Sequence, residues 1–82
     1  MPVNTFKGDT VTIEFEDLAK RILKGELKRR GITYAQLAKR LEKVGVTETE
    51  RNLNNKISRG GFSAAFLFQA MVAIGANEVR LI

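Results

Sequence analysis

The sequence predicts a compact, mainly all-α domain of four helices, flanked by short β-strands at its two ends. Three observations carry that expectation. Apolar residues recur three and four positions apart through most of the chain between Asp17 and Ile74. Glycines or glycine pairs fall where each such run stops, at Gly31, Gly45, Gly60-Gly61 and Gly75. At either end the spacing changes to strict alternation: Val11, Ile13 and Phe15 among Thr and Glu, and Val79 and Leu81 between Glu78 and Arg80. The division that follows is an N-terminal arm with a short strand over 1–16, a helical domain over 17–76, and a C-terminal strand over 77–82. A lone strand is not stable, so the two ends are expected to pair, within one chain or between two.

The first helix is expected to start near Asp17 and run to Arg30, with Gly31 as its left-handed cap. Leu18, Ala19, Ile22, Leu23 and Leu27 form its buried stripe, and Lys20, Arg21, Lys24 and Lys28 fall on the other side of the wheel. Gly25 interrupts it, at a cost of up to about 1 kcal/mol relative to Ala unless a close helix crossing requires it. The second helix opens on Thr33-Tyr34-Ala35-Gln36, a Thr N-cap with Gln at the third helical position, and closes at Gly45. Tyr34, Leu37, Ala38, Leu41 and Val44 are its apolar positions, with Lys39 and Lys43 facing away. A third helix opens in the same manner on Thr47-Glu48-Thr49-Glu50, Thr47 capping and Glu50 as its box partner, and ends at Arg59. Only Leu53 and Ile57 are clearly apolar in it, four residues apart on one side. The fourth runs from a Ser63 N-cap to Ile74, with Gln69 its one polar residue between the caps. A helix apolar nearly all round needs cover on more than one side, so a homodimer through residues 63–74 and the terminal strands is expected.

Charge and composition narrow the chemistry. The 82 residues hold 14 Lys+Arg against 9 Asp+Glu, for a net charge of +5, with no Cys and no His. Disulfides and the usual zinc ligands are thereby removed together. So is the side chain that most often performs acid–base catalysis near neutral pH. No enzyme, no metal, no cofactor and no small-molecule ligand is expected. Nine basic residues against Glu26 and Glu42 lie between 18 and 45, a concentration of positive charge suited to a polyanion. No apolar stretch approaches a membrane span, and nothing at the N-terminus reads as a targeting signal. The expected location is cytoplasmic, on the nucleoid.

Three segments, in order, suggest a family. Gly31-Ile32-Thr33-Tyr34-Ala35-Gln36-Leu37-Ala38 is the first, Asn54-Asn55-Lys56-Ile57-Ser58-Arg59-Gly60 with Phe62-Ser63 the second, and Leu67 through Gly75 the third. Together they resemble the helix-turn-helix of phage-repressor-like (Cro-type, lambda-repressor-like) regulators, over about residues 20–76. They are also similar to an uncharacterised group of short bacterial helix-turn-helix proteins. The resemblance implies double-stranded DNA as partner, a homodimer, and a third helix that reads bases. Val46 to Asn52 departs from it, with a few residues more than the usual tight turn and two acids that repel phosphate.

With Leu53 and Ile57 inward, the wheel turns Glu48, Arg51, Asn52, Asn55, Ser58 and Arg59 outward. Arg suits guanine and Asn suits adenine in the major groove, so Arg51, Asn52 and Asn55 are the base-reading candidates. Lys56 and Arg59 are better placed for phosphate. Thr33, Tyr34 and Gln36 sit where related folds contact the DNA backbone, and Lys39, Lys43, Lys24 and Lys28 are further backbone candidates, with Lys20 and Arg21 behind them. Glu48 is expected to be solvated, with acceptance from a cytosine amino group as its alternative role. The competing expectation is a protein–protein interaction module on the same fold that has lost DNA binding and docks a partner through the fourth helix.

Overall fold

The structure, a computed structural model, describes residues 8–81, with side chains from Glu14 onward. Four helices follow in chain order: α1 Gly8–Arg30, α2 Tyr34–Glu42, α3 Glu50–Arg59 and α4 Ala64–Ala73. The expected all-α, four-helix architecture is present. Helix α2 packs on α3 and α4, and α1 lies across both of the latter. At 1.5 Å per residue the 23 residues of α1 extend about 35 Å, which accounts for most of the molecule's 42 Å long dimension.

Short-range hydrogen bonds define the ends. Thr33 and Gln36 form the complete capping box, with Thr33 Oγ1 accepting from the Gln36 amide at 3.1 Å and Gln36 Oε1 accepting from the Thr33 amide at 2.9 Å. Ser63 Oγ likewise accepts from the Phe66 amide at 3.0 Å. Helices α1, α2 and α4 close in one way. The glycine amide donates three residues back (Gly31 to Lys28, Gly45 to Glu42, Gly75 to Val72), and the next amide donates five residues back (Ile32 to Leu27, Val46 to Leu41, Ala76 to Met71). These are Schellman motifs. In each the residue after the glycine is apolar and rests against the core.

The core is Leu23, Leu27, Leu37, Leu41, Leu53, Ile57, Phe66, Ala70, Met71 and Ile74. Helix α3 supplies Leu53 and Ile57 alone, as its spacing predicts.

Two boundaries differ from expectation. Residues 10–16 are helical and belong to α1, so the first helix begins at Gly8 and not near Asp17. A helix satisfies its backbone within itself and extends cheaply from a formed turn, whereas a strand here needs a partner. Residues 76–81 form no strand either, so among the described residues the two ends do not pair. Val79 still leans on the core between exposed Glu78 and Arg80, while Leu81 is 65% exposed. The remainder of the expected arm, 1–7, and the end of the expected C-terminal strand, Ile82, lie outside the described residues.

The second correction is the start of α3. Thr49, not Thr47, is the N-cap, its hydroxyl accepting from the Asn52 amide at 3.0 Å. Glu50 is the first helical residue and no partner of Thr47. Both threonines offer a cap by sequence. Val46, just before them, is half-buried against the core.

Gly25 marks no close crossing: a Cβ built there meets nothing within 4 Å. Gly25→Ala should therefore stabilise the domain by about 0.5–1 kcal/mol. A urea midpoint that does not rise would show that α1 is not helical at this position in solution.

Candidate nucleic-acid interface

Helix α3 presents its polar side to solvent. Arg51, Asn52, Asn55, Ser58 and Arg59 are all exposed. Asn54 is exposed as well, its Oδ1 accepting from Ser58 Oγ at 3.3 Å. The three base-reading candidates therefore stand together on one helix, on the side away from Leu53 and Ile57. Arg51 and Asn52 sit in the first turn and Asn55 one turn further on.

Basic residues of α1 reach the start of this helix. Lys24 and Lys28 line an open cleft with Thr33, Tyr34 and Glu50, so the C-terminal half of α1, the cap of α2 and the first residue of α3 share one surface. Lys39, Arg40 and Lys43 are exposed on and just after α2. Arg40, which the sequence did not single out, adds a cation to that helix. Thr33 and Gln36 each spend one acceptor on the capping box, which leaves the Thr33 hydroxyl proton and the Gln36 amide N–H2 as donors for an outside group. Tyr34 packs half-buried against the core, and burial raises its phenol above the usual value, so it stays neutral at physiological pH.

Other candidates are engaged inside the molecule. Lys20 donates to the Ser58 carbonyl at 3.2 Å, and Asp17 lies 3.0 Å from Arg21 and 4.0 Å from Lys20. Lys56 donates to Glu48 Oε2 at 2.6 Å and sits 4.6 Å above the Phe66 ring centroid. Glu48 is accordingly not an outward base contact. It precedes the helix and its side chain is only 12% exposed. Of the two acids expected to repel phosphate, one is thus neutralised by a partner and Glu50 alone stands exposed. Glu26, on α1 where it lines a hollow with the C-terminal segment, is held by Arg29 and Arg30.

Among the described residues no group of His, Cys, Asp and Glu is arranged to hold a metal ion. None of the described helices is long and apolar enough to cross a membrane. On α4, Phe68 and Val72 stand on one side of the helix at 59% and 64% exposure, and no charged residue occurs from Gly60 to Asn77.

No curated protein and no solved structure matches the chain. A family described as a domain of unknown function, DUF6471, matches residues 15–79. That span takes in all four helices but for the first turns of α1, and it ends at Val79, the last of the described residues to rest on the core. The chain belongs to the DUF6471 family.

Proposed function

We propose that the chain is a non-enzymatic, double-stranded DNA-binding protein that inserts α3 into the major groove. On this reading it is a small homodimeric transcriptional regulator of helix-turn-helix type, acting on the nucleoid. The carrying observation is the division of α3: two aliphatic side chains inward and Arg51, Asn52 and Asn55 outward, with Lys24 and Lys28 sharing a cleft with Glu50 at the start of the same helix. Arg and Asn offer the bidentate geometry that distinguishes guanine and adenine. Lys24, Lys28, Lys39, Lys43 and Arg59, with the cap residues Thr33, Tyr34 and Gln36, supply phosphate contacts that give salt-dependent affinity and no sequence information. A second copy docking on Phe68 and Val72 buries the exposed face of α4 without opposing like charges. Two copies then set their recognition helices about 34 Å apart along the duplex.

The test is a fluorescence-anisotropy titration of duplex DNA at several salt concentrations, with sedimentation velocity on the same samples. Binding should weaken roughly a thousandfold or more between 50 and 200 mM salt if about six phosphates are contacted. The Lys39→Glu/Lys43→Glu double variant should lose retention on DNA at 100 mM salt while keeping its fold by circular dichroism. Absence of binding at 50 mM salt, or binding without a salt slope, overturns the proposal.

The exposed Phe68 and Val72 also favour a second reading, a protein-interaction module that docks another protein on α4. The charge-reversed variant separates the two. It leaves partner capture intact under the second reading and abolishes DNA retention under the first.

A further inference from the structure

Lys56 stands on the helix proposed to meet DNA, yet its ammonium is turned inward to two groups from two other parts of the chain. Its Nζ lies 2.6 Å from Glu48 in the linker before α3 and 4.6 Å over the ring of Phe66 in the first turn of α4. The Phe66 ring meets that of Phe62 edge-on, with centroids 5.4 Å apart. Glu48 is nearly covered and Lys56 is about one-third exposed, whereas Arg51 and Arg59 on the same helix are exposed. Glu16 and Arg59 are the other charged groups lining the hollow beside Lys56, Phe62 and Phe66. A cation held by a covered carboxylate and an aromatic face is costly to withdraw, because both partners are partly desolvated.

We propose that Lys56 makes no phosphate contact and is a positioning residue. From the last turn of α3 it bridges Glu48, just before the helix, and the Phe66 ring of α4, so that it fixes where α3 begins and sets the aim of Arg51, Asn52 and Asn55. The linker between α2 and α3 is longer than a tight turn. Val46 ties its start to the core and Thr49 caps the helix beyond it. Glu48 lies between these two anchors, and Lys56 is the side chain that holds it. This rests on the DNA reading for its consequence, and on geometry alone for the clamp.

The test uses Lys56→Met, Lys56→Arg and Glu48→Gln in the full chain, with a duplex selected from a random library and a scrambled duplex as probes. Lys56→Met and Glu48→Gln should each lower the preference for the selected duplex by about tenfold, within the range of losing one base contact. The slope of log Kobs against log salt should stay that of the parent, and Lys56→Arg should restore the preference. A phosphate contact predicts the opposite. Lys56→Met would then flatten the slope by about 0.9 with selectivity intact, and that result overturns the proposal. If the parent chain binds no DNA at all, the DNA reading fails and amide hydrogen exchange decides the clamp. Amides from Val46 to Leu53 should then exchange about tenfold faster in Lys56→Met and Glu48→Gln, with Leu37 to Leu41 unchanged. Equal exchange in parent and variants overturns it.

Discussion

Leu53→Ala should cost about 2–5 kcal/mol and leave most of the chain unfolded at 37 °C. Leu53 is fully buried, and only Ile57 shares the task of attaching α3 to the core. The lost isopropyl group leaves a cavity that α2 and α1, packed on α3 from two sides, cannot both close. A domain of about this size holds roughly 3–5 kcal/mol in total unless a partner adds to it, so the loss is comparable to the whole. Urea denaturation followed at 222 nm measures it, with Leu53→Met as the volume-conserving control, expected to cost less than about 1.5 kcal/mol. A loss under 1 kcal/mol for Leu53→Ala would mean that α3 is not held as described. The same helix is the proposed DNA reader, so DNA affinity should fall in step with stability for Leu53→Ala, and stay nearly unchanged for the Met variant.

Gly60→Ala should be the most damaging glycine substitution, by about 2–4 kcal/mol, from two causes that add. Its backbone stands at φ 84° and ψ −66°, the positive-φ γ-turn region that L residues with a Cβ adopt only under strain. A Cβ there would also stand 3.1 Å from the Glu16 carbonyl oxygen, an atom of the α1 backbone that cannot swing aside. Gly31 and Gly45 separate the two causes. Both have positive φ, at 67° and 83°, with nothing within 4 Å of a built Cβ. Ala at either should cost only the backbone share, about 1 kcal/mol. Thermal or urea unfolding of the three variants gives the order, and a Gly60→Ala cost no larger than that of Gly45→Ala would remove the close approach of α1 to the end of α3.

Much of the candidate site was legible in the sequence because it rests on spacing within one helix. Leu53 and Ile57, four residues apart, determine which side of α3 is buried, and Arg51, Asn52 and Asn55 follow as exposed from that choice alone. Glu48 does not face outward, and Lys56 is engaged within the molecule, for a physical reason the sequence does not display. A wheel orders the residues of a helix by angle, but Glu48 lies before the helix, and the Phe66 ring that receives Lys56 arrives from α4. The N-terminal alternation misled in a similar way. Val11, Ile13 and Phe15 fit a strand by period, and a helix that can grow from Asp17 without a partner takes them instead.

By itself the sequence determined the four helices and their ends except the starts of α1 and α3, since a cap joins residues three to five apart: Thr33 with Gln36, Ser63 with Phe66, Gly31 with Lys28. It also determined which two side chains anchor α3. The tertiary structure decided what depends on groups distant in the chain: Lys56 turned to Glu48 and Phe66, Lys20 donating to Ser58, and Gly60 pressed against Glu16. Local hydrogen bonds close whatever the rest of the chain does, whereas these contacts exist only once α1 and α4 have been brought against α3 by the burial of their shared core.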